Sequence, residues 1–379
     1  MTYAQQHPDT VRTPRKDIID VLLKLTRWDK LYKKRNSRKI SFSLIPIPSA
    51  LVGGDEFIVS SINAAFYLGD SSSTNLSNIY FIPYTNFYSR IGFIINPNIW
   101  TNGKLWNLTG DFRIIHNDLR TYGLGGNTSK ENQDQINHQF IRIYLTGNHR
   151  VDGPFYAGVG YNLDDFYNVS EIWSGSNQSN FSKYGIGTGR KTVSSGITFD
   201  LLWDSRKNSI NPENGVYSIL LYRLNTRWLG SDYTWASIYF DNRKYFSFSD
   251  TRHEVLGFRL FYWGSYGDVP YLNLPGTTLD LSARSGRGYS VARYLGKQEL
   301  YAETEYRFDI ARNGLWGGVL FSDAQTYTEP VSHQFEYILP AIGAGVRLKF
   351  NKKSNTNISF DMAFGKNSFQ LHLNLGELF

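Results

Sequence analysis

The sequence predicts an all-β protein, a transmembrane antiparallel β-barrel of about 16 strands, and three observations support this prediction. The 379 residues include 25 Phe, 26 Tyr and 9 Trp, so aromatic residues make up 16% of the chain. The mean hydropathy is only −0.37, and there is no apolar run of about 18 residues that would form a transmembrane helix. From residue 39 onward, apolar and polar side chains alternate in segments of about 9–14 residues, the length of a tilted membrane-spanning strand. A large soluble β protein would also show alternation, so the aromatic content and the strand lengths favour the barrel.

Charge and composition exclude several classes of function. The 40 basic and 33 acidic residues are dispersed and leave a net charge of +7, so no nucleic-acid partner is expected. The chain has no cysteine and seven scattered histidines, and it has no nucleophile-elbow motif. We therefore predict no enzyme activity, no catalytic residues, no metal and no cofactor. The glycine-rich segments 123–126 and 185–189 do not open a helix, and we interpret them as extracellular loops rather than phosphate-binding loops.

The N-terminal residues 1–38 are predicted to form a periplasmic segment separate from the barrel. Residues 1–6 resemble the end of a signal peptide, with Ala4 near a cleavage site. The only convincing helical pattern lies within residues 9–39 and predicts a short amphipathic helix, with apolar residues at helix-like spacing that include Ile18, Ile19, Leu22, Leu23 and Leu25. This helix could cap the periplasmic mouth, plug the lumen, lie on the membrane surface, or pack against the barrel without a further role.

Residues 39–379 are predicted to form the transmembrane barrel. In segment 337–350, Ile342 and Val346 belong to an apolar face, and Arg347 and Lys349 to a polar one. The same two-residue period continues through the series, and the predicted strands are 39–45, 56–69, 75–87, 90–100, 104–116, 135–147, 155–166, 190–204, 216–228, 233–248, 253–266, 300–308, 315–324, 337–350, 357–365 and 369–379.

The connections between the predicted strands alternate in length. Short ones such as 248–252 and 309–313 fall at one end, and long ones such as 168–189 and 267–297 fall at the other. Outer-membrane barrels have short periplasmic turns and long extracellular loops. The alternation therefore predicts both the class of barrel and its orientation.

One long connection contains an unusual polar stretch, residues 281–293, with the sequence LSARSGRGYSVAR. At about thirty residues the whole connection is far longer than a hairpin loop, and long connections of this kind are usually functional or disordered. The strand that follows carries Glu303, Glu305 and Arg307 on one face, and the next strand carries Asp323. An arginine on the loop and carboxylates on these strands suggest that the loop folds back and is held inside the barrel.

These residues resemble a known family. Residues 286–289, with Arg287, Gly288 and Tyr289, resemble the Val-Arg-Gly-Phe/Tyr loop motif of the BamA/TamA (bacterial surface antigen) family of outer-membrane barrels, although Gly286 replaces the usual branched residue. Segments 304–308, 321–323, 204–206 and 211–215 look like other motifs of that family. The chain ends in an alternating pattern similar to the C-terminal insertion signal of outer-membrane proteins, formed by Leu371, Leu373, Leu375 and Phe379. The resemblance covers residues 39–379 and is to a short form without POTRA domains.

The resemblance implies an integral protein of the Gram-negative outer membrane, with the long loop folded into the lumen and Arg287 paired with Glu305 and Asp323. Its implied surroundings are the lipid bilayer, lipopolysaccharide and possible periplasmic or outer-membrane protein partners. The implied function is the insertion, assembly or translocation of envelope proteins or lipids, with the seam between 39–45 and 369–379 as the working part. A passive channel and a structural subunit of an outer-membrane complex remain as alternatives. The Arg287 cluster is interpreted as holding the loop rather than contacting a substrate.

Overall fold

The computed structural model describes residues 14–26, 40–49, 57–85, 91–172, 178–248, 254–281 and 284–379. In this part of the chain a short helix precedes sixteen strands, so the predicted all-β architecture is confirmed. A second short helix lies in the connection between β7 and β8. The elements are α1 (Ile18–Thr26), β1 (Ile40–Ser49), β2 (Phe57–Phe66), β3 (Ser77–Thr85), β4 (Ile91–Trp100), β5 (Trp106–Thr121), β6 (Asp134–Asp152), β7 (Phe155–Ile172), α2 (Asn180–Tyr184), β8 (Lys191–Asp204), β9 (Gly215–Asn225), β10 (Trp235–Ser247), β11 (Glu254–Gly267), β12 (Gln298–Asp309), β13 (Trp316–Tyr327), β14 (Leu339–Asn351), β15 (Thr356–Gly365) and β16 (Ser368–Leu375).

The sixteen strands form one sheet in which spatial order follows chain order. Each strand from β1 to β15 pairs antiparallel with the next one along the chain. The two end strands, β1 and β16, lie side by side. Among the described residues, however, no ladder of paired residues joins them. We call this junction the seam.

The inner and outer faces of the sheet have opposite chemistry. On β12, Glu303 and Arg307 are buried while Leu300 is exposed. On β14, Arg347 is buried while Ile342 is 64% exposed, which confirms the two faces predicted for this segment. A soluble β protein buries its apolar face, whereas a membrane barrel has a polar interior and an apolar outer band.

The observed strand ends differ from the predicted ones in physically informative ways. β5 continues to Thr121 and β6 has 19 residues, so both are longer than the predicted segments. The last strand ends at Leu375 rather than at residue 379, because Gly376 has a φ of 99°. Such a left-handed residue breaks the extended conformation and is accessible to glycine at little cost.

The structure describes part of the segment 9–39 in which a helix was predicted, and the helical residues in that part are Ile18–Thr26. The first turn of this helix has reciprocal caps, because Asp17 accepts from the backbone N of Asp20 at 2.9 Å and Asp20 accepts from that of Asp17 at 3.1 Å. Residues 1–13 and 27–39 lie outside the described part, together with the rest of the predicted helix. None of the helices in the described ranges has the length and apolar character needed to span a bilayer.

Candidate functional site

The connection between β11 and β12, residues 268–297, lies inside the sheet, and we call it the lumen loop. Most of its described side chains are buried. Its outer side contacts the two glycine-rich segments that were interpreted as extracellular loops. The backbone N of Gly125 donates to Leu295 O at 2.7 Å, and that of Tyr271 donates to Ile186 O at 3.1 Å. These two connections therefore help to hold the loop in place, which the glycine content alone did not indicate.

Arg287 is the centre of the loop's contacts with the inner wall. Its side chain is 1% exposed, its Nε lies 2.8 Å from Oε1 of Glu303, and its Nη2 pairs with Glu305. Asp361 on β15 lies 3.7 Å away, and the guanidinium group sits 4.2 Å from the ring centre of Phe321. A planar guanidinium group can serve several carboxylates and an aromatic face at once. The structure thus brings Arg287 together with Glu305, one of its two predicted partners.

Asp323, the other predicted partner, is not among the ion pairs of Arg287, and this part of the prediction is wrong. The register of β12 and β13 explains the difference, because it places Phe321 opposite Glu305 and Asp323 opposite Glu303. Phe321 therefore faces the guanidinium group of Arg287, and Glu303 forms the second ion pair with Arg287 that was predicted for Asp323. The carboxylate of Asp323 is buried and has no hydrogen-bond partner among the described residues.

The ion pairs continue from Arg287 to the last residues of the chain. Glu305 also pairs with Arg307, whose Nε lies 2.5 Å from Oε1 of Glu305. Arg347 pairs with Asp361 and lies 2.7 Å from Glu377. Buried charges require such mutual pairing, because removing one partner leaves an uncompensated charge in the interior. The resulting network joins the lumen loop, three strands and the chain end through Arg287, Glu303, Glu305, Arg307, Arg347, Asp361 and Glu377.

Gly288 and Tyr289 fix the loop closely against β14 and β15. A Cβ atom on Gly288 would lie 2.4 Å from Cβ of Ala341 and 3.0 Å from the backbone N of Gly365. The Tyr289 hydroxyl donates to Pro340 O at 2.8 Å and accepts from the backbone N of Lys366 at 3.0 Å. Glycine is therefore needed for the close approach, and tyrosine supplies the hydrogen bonds beside it.

The lumen loop also contacts the last strand. His372 on β16 has its Nε2 2.7 Å from the backbone oxygen of Arg287. A carbonyl oxygen only accepts, so Nε2 carries the proton in this contact. Arg284 Nη1 donates to the backbone oxygens of Glu377 at 2.5 Å and Leu378 at 3.2 Å. The loop thus supports one side of the seam from within.

The residues of the predicted C-terminal insertion signal occupy two environments. Leu371 and Leu373 pair across the strands with Met362 and Phe360, which are exposed on the outer face. After Gly376 the chain turns inward, and Phe379 is buried against Tyr245 and Val255. Its backbone oxygen accepts from Arg307. The motif therefore has two environments. Leu371 and Leu373 face outward, whereas Leu375, the last residue of β16, and Phe379 are buried.

Glu377 and Arg284, which lie outside the strands, have shifted pKa values. Burial would raise the pKa of Glu377, but Arg347 and Arg307 outweigh it and hold that pKa below its usual range. Burial lowers the pKa of Arg284, and the neighbouring Arg243 and Arg259 act in the same direction. Glu377 is therefore an anion held by the network, while Arg284 is a cation whose short contacts are to backbone oxygens.

A cavity of about 530 Å³ lies inside the lumen. Across β3 to β6 its wall carries a row of asparagines, in which Asn78 pairs in register with Asn98 and Asn107 with Asn148. Asn107 Nδ2 donates to Asn98 Oδ1 at 2.7 Å. Within the described ranges, no cluster of His, Asp or Glu side chains is placed to hold a metal ion. The cavity wall in the described part of the chain therefore combines charged and amide side chains.

The sequence interpretation missed His372, Asp361 and Glu377. Asp361 carries a signal in its parity, because it lies on the inward face of a strand whose outward residues, Phe360 and Met362, are apolar. Glu377 carries no such signal, since its position depends on the turn at Gly376.

No family model matches the sequence, and no curated protein matches it. Among solved structures, the chain is similar to BamA from Haemophilus ducreyi lacking POTRA domains 1–3. The TM-score is 0.52 and the identity 13%, over 93% of this chain and 78% of that one. It is also similar to CdiB from Acinetobacter baumannii, with a TM-score of 0.50 and 12% identity over 89% of this chain and 60% of that one. The chain therefore has the barrel fold of BamA and CdiB, as the resemblance of its loop motif predicted.

Proposed function

We propose that this protein is an integral outer-membrane barrel of the BamA/TamA type that helps to insert, assemble or translocate envelope proteins or lipids through its seam. The observation that carries the proposal is the seam itself. Fifteen strand pairs are joined by regular ladders, whereas β1 and β16 lie side by side without one among the described residues.

An unpaired strand edge can bind another strand. The backbone N–H and C=O groups along such an edge are a template for β-augmentation, in which an incoming segment adds to the sheet. β16 has eight residues, fewer than any other strand in the described part, so it has few ladder bonds to β15. A client strand or a lipid could therefore enter at β16 with less disruption than at any regular strand pair.

The polarity of the two faces supports an outer-membrane location. Apolar side chains such as Leu320 and Ile342 are exposed on the outer face, where a bilayer would cover them at a gain of about 25 cal/mol per Å². In this proposal residues 39–379 are the membrane domain and residues 1–38 a periplasmic segment. The partners are the bilayer, lipopolysaccharide and proteins of the periplasm or outer membrane.

The polar cavity supports a second candidate, a passive channel. An amide-lined lumen of this size can hold water and small solutes. The lumen loop and the inward-turned residues 376–379 nevertheless occupy much of the cross-section, and both are held by ion pairs. These obstructions favour the seam over the lumen as the working part.

Reconstitution into vesicles distinguishes the two candidates. The purified protein is incorporated into liposomes, an unfolded eight-stranded outer-membrane barrel is added, and its folding is followed by heat-modifiable migration on gels. The proposal predicts faster folding than in empty liposomes and low ion conductance in planar bilayers. Unaccelerated folding together with steady conductance would support the channel instead.

A further inference from the structure

Helix α1 has an unusual orientation, because its polar side faces the barrel. Asp17 Oδ2 accepts from the backbone N of Lys352 at 2.9 Å, and both carboxylate oxygens of Asp20 accept from Lys352 Nζ, at 2.6 and 2.7 Å. Lys16 N donates to Asn313 O at 2.9 Å. The helix is thus attached by charged and backbone groups to two turns, the one between β12 and β13 and the one between β14 and β15.

The apolar side of α1 faces away from these contacts. Ile18, Leu22 and Leu25 have the i, i+4, i+7 spacing of one helix face, and Leu22 and Leu25 are 52% and 75% exposed. Val21 beside them is also exposed. A helix on a soluble protein packs this face against the core and leaves the charged face to water. The inverted arrangement indicates that something apolar covers the helix.

The position of α1 and its charges identify the covering as a membrane surface. The turn between β12 and β13 and the strand after it carry exposed apolar and aromatic side chains, Ile310 in the turn and Trp316 at the start of β13. Aromatic residues at strand ends mark the boundary between the acyl chains and the headgroups. The helix is therefore attached to the rim of the sheet at the level where a bilayer ends.

The sequence around the helix is rich in basic residues. Residues 27–39, which follow the helix, contain seven basic residues and one acidic residue. Anionic phospholipid headgroups attract such a cluster by about 1 kcal/mol for each Lys or Arg near the surface. Arg15, Lys16 and Lys24 are exposed on or next to the helix, and Arg312 and Lys353 are exposed on the two turns that hold it.

We propose that α1 is an interfacial membrane anchor, with Leu22 and Leu25 among the acyl chains of the periplasmic leaflet and Lys24 at anionic phospholipid headgroups. This placement rests on the membrane location in the proposed function, but not on any activity of the seam. An amphipathic helix with cationic flanks is suited to this position. Salt bridges from Asp20 to Lys352 then fix the helix at one point of the barrel rim.

Because the chain has no cysteine, a single introduced cysteine can report the position of the helix. Leu25→Cys is labelled with a nitrobenzoxadiazole fluorophore, and the full-length protein is reconstituted into phosphatidylcholine vesicles with or without phosphatidylglycerol. Quenching by brominated phospholipids and by aqueous iodide is measured. Ile342→Cys on the outer face of β14 is the lipid control, and Val331→Cys, at a position 90% exposed on the β13–β14 connection, is the aqueous control.

The proposal predicts a blue-shifted label at residue 25 that is quenched by brominated lipid and protected from iodide, more strongly with phosphatidylglycerol. Lys24→Gln in the same background should lower the ratio of inserted to exposed label about fivefold in these vesicles, the equivalent of about 1 kcal/mol. A label quenched by iodide, or protected from both quenchers, would overturn the proposal, since the helix would then face water or protein. A failure of the Ile342→Cys control would instead refute the membrane location of the barrel.

Discussion

The Nε2 atom of His372 lies 2.7 Å from the backbone oxygen of Arg287, so the last strand of the sheet is hydrogen-bonded to the lumen loop. β16 pairs with β15 on one side and has no ladder to β1 on the other within the described residues. A strand in the interior of the sheet is stabilised by a paired strand on each side, whereas β16 has one paired strand and the hydrogen bond to the lumen loop. Because Arg287 is itself held by Glu303 and Glu305, the stability of the loop and that of the seam are connected.

Replacing Arg287 tests the network directly. Arg287→Ala leaves Glu303 and Glu305 without their shared cation, and we expect it to lower the free energy of unfolding by about 3–5 kcal/mol. Arg287→Lys should restore only part of this, because one ammonium group does not reproduce the planar fork. The measurements are the midpoint of thermal unfolding and the rate of proteolysis at residues 285–292. Arg227→Ala, at an exposed position, is the control, and equal effects of the two alanine variants would contradict the assignment.

The close approach of Gly288 predicts a cost for the smallest possible side chain. In Gly288→Ala the new methyl group meets Ala341 and the backbone of Gly365, and overpacking of this kind costs about 1–3 kcal/mol. We expect a lower unfolding midpoint and a loop that proteases cleave faster. Gly189→Ala is the matched control, because its nearest contact is at 3.9 Å. Unchanged stability of Gly288→Ala would show that the loop does not pack against the wall as described.

His372 is predicted to act on the seam specifically. His372→Leu removes the hydrogen bond to Arg287 O, which contributes about 1 kcal/mol, so backbone amides of β16 should exchange with deuterium about fivefold faster. Amides of β9, which neither borders the seam nor contributes a residue to the Arg287 network, should be unchanged. His372→Asn keeps a donor and serves as the comparison. Acceleration spread evenly over all strands would indicate general destabilisation rather than release of β16.

The inward position of Phe379 predicts a role in stability as well as in insertion. Phe379→Ala removes a ring that packs on Tyr245 and Val255, and such a truncation costs about 3–5 kcal/mol in a well-packed site. The unfolding midpoint of protein already inserted in the membrane should therefore fall. Slower insertion with unchanged stability would instead support a role in insertion alone. Leu371→Ala, on the outer face, separates the two effects because it is not part of the inner packing.

The alternation of side chains was sufficient to predict the sheet but not the details of its interior. The faces of β12 and β14 follow directly from a two-residue period, as Arg347 and Ile342 show. The contact of Arg287 with Phe321 rather than Asp323 depends on the register between β12 and β13, which a single sequence does not specify. The burial of Phe379 depends on the left-handed conformation of one glycine, Gly376. The alternating pattern of residues 369–379 predicted a continuous strand and did not indicate this turn.

The most direct test of the account is to lock the seam. Because the chain has no cysteine, pairs that join Ser41→Cys or Ser43→Cys on β1 to Asn374→Cys on β16 can be oxidised and their yield read from gels. The control pair, Ser359→Cys with Asn374→Cys, joins β15 and β16 at directly paired positions. Each variant is assayed for the folding of an unfolded barrel into proteoliposomes. We predict that the locked seam loses the acceleration and regains it on reduction, while the control lock keeps it. Full activity of the locked seam would contradict the claim that the junction of β1 and β16 is the working part.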